Sequence, residues 1–267
     1  YKVSDKNLIG LPEEEAQFPI SFNLSIEGTQ ISFIKNIVYK FNDPVKGEVY
    51  KPFQVLPDAT SSIPEKVLIF ATTDAREIPV KIRAGRDGIS GTVSLEHPKG
   101  WNVSPSQHIF NLERLGEEET VFFNVTPPAE QSEGLLKPLV NIGDTFLTKE
   151  LIRIDYEHIP FQSVLMPSEA KVVRINIQKK GQHIGYIKGA GDAIPESLKQ
   201  IGYDVTAIPP ANITKENLKQ FDAIVIGVRA YNTVPELAFS QTTLNTYVAN
   251  GGTLILQYNT NRRLVTN

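Results

Sequence analysis

The sequence predicts a multi-domain chain: all-β sandwich modules, then an incomplete, doubly wound α/β domain with a parallel sheet. Three observations carry this expectation. Short runs alternating apolar and polar residues fill residues 18–156, and their period of two is that of half-buried strands. Turn signals such as Arg86-Asp87-Gly88, His97-Pro98-Lys99-Gly100 and Gly143-Asp144 separate those runs. Near residue 160 the pattern changes, and short apolar strands then alternate with helical segments, as in βαβ units.

The first module, residues 1–56, holds Phe18-Pro-Ile-Ser-Phe-Asn-Leu-Ser-Ile26, the turn Glu27-Gly28-Thr29, a second strand from Ile31 to Phe41, and an extended piece from Val45 to Val55. Three or four strands are too few to close a sandwich, so the segment reads as the C-terminal part of an immunoglobulin-like domain. Residues 57–160 supply candidate strands Lys66–Ala71, Ile78–Ala84, Gly91–Glu96, His108–Leu112, Glu119–Thr126 and Leu147–Tyr156, enough for a Greek-key sandwich. Trp101, the sole tryptophan, is expected in its core. Stacking on a sugar is the competing role.

Residues 161–183 read as a linker and entry to the α/β domain, which occupies 184–267. Its strands are expected at 184–188, 203–208, 222–227 and 253–257. The third, Asp222-Ala-Ile-Val-Ile-Gly227, is apolar throughout its middle, as a strand buried on both faces requires. Pro195–Ile201 reads as a helix ended by Gly202, Thr214 as an N-cap, and Pro235–Asn250 as the longest helix. Four strands are few for such a sheet. The chain also opens at Tyr1 without Met. Both ends therefore read as truncated or processed.

In a doubly wound sheet, ligands bind beyond the carboxyl ends of the strands. Three segments converge there: Gly189-Ala-Gly-Asp192, Val228-Arg-Ala-Tyr-Asn232 and Gln257-Tyr-Asn-Thr-Asn261. The candidate ligand-binding residues are Asp192, Arg229, Tyr231, Asn232, Gln257, Tyr258 and Asn259. Arg229 suits a carboxylate or phosphate, the tyrosines a flat or sugar-like ligand, and the amides hydroxyl groups. The competing reading is structural. Gly189-Ala-Gly191 is only G-x-G, and Ile194 stands where the dinucleotide fingerprint needs its third glycine.

Composition narrows the function. The 267 residues are 40% hydrophobic and 21% charged, with a net charge of −3, which does not mark a general nucleic-acid binder. Charge is −6 over 54–160 and +4 over 161–267. The basic tail suits an anionic ligand, although a solvated surface is the preferred reading. No stretch approaches the roughly 18 apolar residues of a membrane span. With no cysteine there is no disulfide, thiolate ligand or cysteine nucleophile. The four histidines, His97, His108, His158 and His183, show no metal-ligand spacing. No nucleophile elbow or P-loop occurs. No catalytic or metal-binding residue is therefore assigned.

The run Gly185-Tyr-Ile-Lys-Gly-Ala-Gly-Asp192, with Gly227-Val-Arg-Ala-Tyr-Asn232 and Gln257-Tyr-Asn-Thr-Asn-Arg262, resembles the C-terminal region of exported bacterial, Bacteroidetes-type PIG-L/LmbE-like deacetylases. Looser resemblances extend it to most of the chain: Gly47-Glu-Val-Tyr-Lys-Pro-Phe53, Pro98-Lys-Gly-Trp-Asn-Val-Ser-Pro105, Phe123-Asn-Val-Thr-Pro-Pro128, Ile152-Arg-Ile-Asp-Tyr156 and His158-Ile-Pro160. The resemblance implies a zinc deacetylase domain, then β-sandwich modules, then a class I glutamine amidotransferase-like domain of flavodoxin-like build. It also implies a periplasmic or extracellular location.

Catalytic residues do not carry over. The family's Ala-His-Pro-Asp-Asp zinc run is absent, since Glu96-His-Pro-Lys-Gly100 lacks both aspartates, and the amidotransferase cysteine is absent too. The expected function is a non-catalytic accessory region that positions a neighbouring catalytic domain of the same protein or binds glycan. No cofactor is expected in this segment, zinc belonging to the deacetylase domain. The alternatives are an enzyme whose site lies in the α/β crevice, with Asp192 or Tyr231 in acid–base work, and a structural spacer.

Overall fold

The computed structural model describes residues 6, 18–159 and 161–265. The start of the 1–56 module, Pro160 and the last two residues lie outside them. The described chain is mostly β and is built from several sheets.

Strands β1 (Pro19–Ile26) and β2 (Thr29–Asn36) form one hairpin, and β3 (Val38–Asp43) and β4 (Gly47–Pro52) a second. Gly28 and Gly47 take the left-handed φ values of +82° and +76° that these turns need. In the first hairpin Phe22 faces Phe33 and Leu24 faces Ile31 across the ladder. The Phe22 and Phe33 rings stack at 5.1 Å. The immunoglobulin-like module expected over 1–56 is thus represented, among the described residues, by two separate two-stranded sheets.

The sandwich follows. One sheet holds β5 (Ala59–Ser62), β7 (Arg76–Ala84), β11 (Glu118–Thr126) and β9 (Asn102–Ser104), in that order. The other runs β10 (Gln107–Leu112), β8 (Ile89–Glu96), β12 (Ser132–Ile142), β16 (Ala170–Arg174) and β6 (Val67–Phe70), with β13 (Thr145–Leu147) added beside β12. All pairs are antiparallel except β16 with β6. The core between the sheets is made by alternate residues, as in Ile78, Val80 and Ile82 of β7 and Val121, Phe123 and Val125 of β11. Trp101 lies in it, 4% exposed. Its ring meets Phe70 edge-on at 5.0 Å, and its Nε1 donates to Ser132 Oγ at 3.1 Å.

One boundary and one strand differ from expectation. Residues 161–183 are not a plain linker. β15 (Gln162–Pro167) forms a hairpin with β14 (Lys149–Ile154), and β16 completes the sandwich sheet. The sandwich thus extends to Arg174. The eleven-residue β12 was not expected, because Gly134 and Pro138 lie within it. Gly134 packs against the Pro98 ring, where a Cβ would come within 2.3 Å of Cγ. Pro138 lies opposite Leu95 of β8, and on the other side it falls between the stretches paired with β16 and with β13, where no strand partner needs its N–H.

The last sheet is parallel, in the order β18 (Asp204–Ala207), β17 (His183–Ile187), β19 (Ala223–Ile226), β20 (Thr253–Leu256). Helices α1 (Ile194–Gln200), α2 (Lys215–Leu218), α3 (Ala230–Thr233) and α4 (Leu237–Ala249) lie in the connections. Successive residues of the central strands feed opposite faces. Ile184, Tyr186 and Val225 pack with Leu198 of α1 on one side. Ile187, Ile224 and Ile226 pack with Leu218, Leu237 and Leu244 on the other. Gly202 and Gly251 follow the ends of α1 and α4 with φ of +90° and +94°, and the amides of residues 202–203 and 251–252 bond back into the last turn. Thr214 caps α2, its Oγ1 accepting from Asn217 N at 3.2 Å.

The parallel sheet meets the sandwich through Gln200. Its Oε1 accepts from Ile69 N at 2.8 Å, and its Nε2 donates to Glu65 Oε2 at 3.0 Å and to Val67 O at 3.5 Å. A primary amide carries the same donor and acceptor as a peptide unit. Gln200 therefore serves the open edge of β6 as one residue of a neighbouring strand would.

Candidate functional site

The parallel order brings the ends of β17, β19 and β20 to one edge, and the loops that follow them touch. Gly227 N donates to Ile187 O and Ala190 N to Val228 O, both at 2.8 Å. The approach is close: a Cβ on Gly189 would come within 2.2 Å of Val228 O, and one on Gly227 within 2.5 Å of the Tyr186 hydroxyl. Gly189 thus serves loop-to-loop packing, while Gly191 takes a φ of +107° that favours glycine.

Asp192 is the centre of this edge. Its Oδ2 accepts from the Tyr186 hydroxyl at 2.6 Å, from Val228 N at 3.2 Å and from Gln257 Nε2 at 3.3 Å. Its Oδ1 accepts from Ile194 N at 2.9 Å. One carboxylate so joins its own loop, the loop after β19 and the end of β20. Burial pushes its pKa up, but the four donors outweigh burial and hold it below the usual carboxylate value. The Tyr186 phenol moves the other way, pushed well up by burial, then by its bond to Asp192 and that group's charge.

The other candidate residues gather at the same edge with different exposures. Arg229 N donates to Tyr258 O at 2.7 Å, and Tyr231 N to Asn259 Oδ1 at 3.0 Å. Asn232 Nδ2 donates to Thr260 O and Arg262 O, while its Oδ1 accepts from Thr260 N. Asn259 Nδ2 donates to Gln257 O at 2.8 Å. Tyr231 is 7% exposed and its hydroxyl donates to Gln241, whereas Tyr258 is 69% exposed. The two tyrosines therefore do not make one stacking surface. Burial raises the Tyr231 phenol, with its Gln241 bond opposing.

Arg229 is exposed and sits at φ +56°, a left-handed conformation uncommon for a side chain with a Cβ. Arg229→Gly is expected to raise stability by about 1 kcal/mol by removing that strain. Thermal denaturation of the two proteins checks this, and a destabilised glycine variant would show that the guanidinium itself holds the loop.

Tyr186 and Gln241 complete this edge and were not anticipated. Tyr186 reads in sequence as an ordinary strand residue, and only the alternation that turns it toward Asp192 marked it. Among the described residues no group of three or more His, Cys, Asp or Glu could hold a metal ion. No helix there is long and apolar enough to cross a membrane. His108 Nε2 lies 2.9 Å from Phe122 O, and His183 Nδ1 lies 3.6 Å from Asp204, each in a separate part of the fold.

No family model matches the sequence, and no curated protein matches it. Among solved structures, a family 123 glycoside hydrolase from Clostridium perfringens, described for glycolipid glycan hydrolysis, is similar over 64% of this chain at 8% identity and a TM-score of 0.29. This chain spans 38% of that enzyme's length. WR4, a C. elegans MSP family member, is similar over 43% of this chain and 98% of its own at 6% identity and a TM-score of 0.25. Likenesses at this level carry no argument about function.

Proposed function

We propose that this chain is a non-catalytic accessory region of an exported PIG-L/LmbE-type deacetylase, whose modules position the catalytic domain toward glycan. In this reading the parallel sheet is the front part of a doubly wound, amidotransferase-like domain, and the location is periplasmic or extracellular. The observation that carries the non-catalytic part is the closure of the strand ends around Asp192. Its carboxylate is engaged by four donors from three segments, so the edge acts as a structural joint. The bonds from Gln200 to β6 support a positioning role, because they couple the parallel sheet to the sandwich.

The test is acetate release from N-acetylglucosamine oligomers by the purified chain. No release above the blank is expected. Turnover abolished by Asp192→Asn would overturn the reading in favour of an enzyme with its own site at the strand ends.

A further inference from the structure

A cavity of about 440 Å³ opens on the outer face of the sandwich, between β5 and β7 on one side and β14 on the other. It is of the size that small-ligand sites occupy. Four cations, Lys66, Lys81, Arg83 and Arg153, line it against two carboxylates, Glu118 and Glu150. Lys66 pairs with Glu150, and Lys81 and Arg83 both pair with Glu118, at 3.0 and 2.6 Å. Among the described residues Arg153 alone of the four has no ion-pair partner. Burial, then the like charge of Arg83, lowers the pKa of its guanidinium, while the charges of Glu118 and Asp155 oppose this. An arriving anion would offset the charge of Arg83.

A second observation is independent of charge. Thr60 stands opposite Arg83 in the β5–β7 ladder, so its side chain lies on the Arg83 face. It is 6% exposed and lines the cavity, so its hydroxyl belongs to the cavity wall. A hydroxyl both donates and accepts, so it can meet the polar atoms of a ligand there. Leu151 and Ile152 add apolar lining beside the cations, which favours an organic anion over a bare inorganic one.

We infer that this cavity binds a small organic carboxylate, its anion held by Arg153 with Arg83 beside it, and its polar atoms met by Thr60. The cavity is separate from the strand-end edge of the parallel sheet and does not depend on the function proposed above.

Titration calorimetry with glucuronate, with glucose as the neutral isostere and with inorganic phosphate tests this. Saturable glucuronate binding is expected, with glucose inert and phosphate weaker. Arg153→Ala should weaken glucuronate at least tenfold, and Arg153→Lys should recover only part, since an ammonium lacks the planar fork. Thr60→Val should weaken it severalfold. All three variants are compared by circular dichroism, so that loss of binding is read only on folded protein. Equal binding of glucose, unchanged affinity in Arg153→Ala, or no saturation by glucuronate overturns the inference. Phosphate binding as tight as glucuronate reduces the site to an adventitious ion only, and overturns it too.

Discussion

Trp101→Ala is expected to destabilise the sandwich by about 3–5 kcal/mol, the scale of a large aromatic truncated in a packed core. The indole closes the space between the sheets beside Phe70, and its removal leaves a cavity that the flanking strands cannot collapse into. It also leaves Ser132 Oγ without its donor. Trp101→Phe separates the two effects: it keeps most of the apolar area and forfeits the hydrogen bond, for an expected cost of about 1–2 kcal/mol. Denaturant unfolding followed by circular dichroism measures both, because the variants lack the chain's only tryptophan. A cost below about 1 kcal/mol for the alanine variant would contradict a packing role for Trp101.

Asp192→Ala is the second large effect, expected at about 2–4 kcal/mol, since it strips the partners from a buried phenol and two backbone amides at once. The pH dependence has a definite sign. The folded protein holds the Asp192 carboxyl below its ordinary value. The stabilisation is therefore fully present above the unfolded value of about 3.9 and disappears as pH falls through the lower folded value. Asp192→Asn removes that contribution, so the gap between wild type and variant should be wide at neutrality and narrow in acid. Asp222, lowered by the amides of Gln182 and His183, keeps its own share of the acid sensitivity in both proteins. A gap independent of pH would show that the carboxylate charge at position 192 contributes nothing.

Much of the local structure was legible because it depends on near neighbours in the chain. The alternation of Ile20, Phe22, Leu24 and Ile26 marked β1, the apolar run Ala223–Ile226 marked β19, and Thr214 and Gly202 marked helix ends. The elements missed were those whose stability is borrowed from afar. β16 is five residues long and reads in sequence as linker; it is held by β12 on one side and by β6, about a hundred residues earlier, on the other. β12 tolerates Gly134 and Pro138 only because of what lies beside each of them.

The candidate residues at the strand ends divide in the same way. Their convergence followed from strand order and connection rules that sequence pattern expresses directly. Their roles did not follow, because a role depends on partners. Asp192 is tied to Val228 and Gln257, 36 and 65 positions away, and Tyr231 turns into the core while Tyr258 turns out. Period, capping and backbone restriction, all short-range effects, marked most of the strands, helices and turns but neither β12 nor β16. Which polar groups meet depends on packing between distant segments, as the four donors gathered on Asp192 show. The tertiary structure also assembled a cationic cavity from β5, β7 and β14, whose charges lie too far apart in the chain for any local pattern to join them.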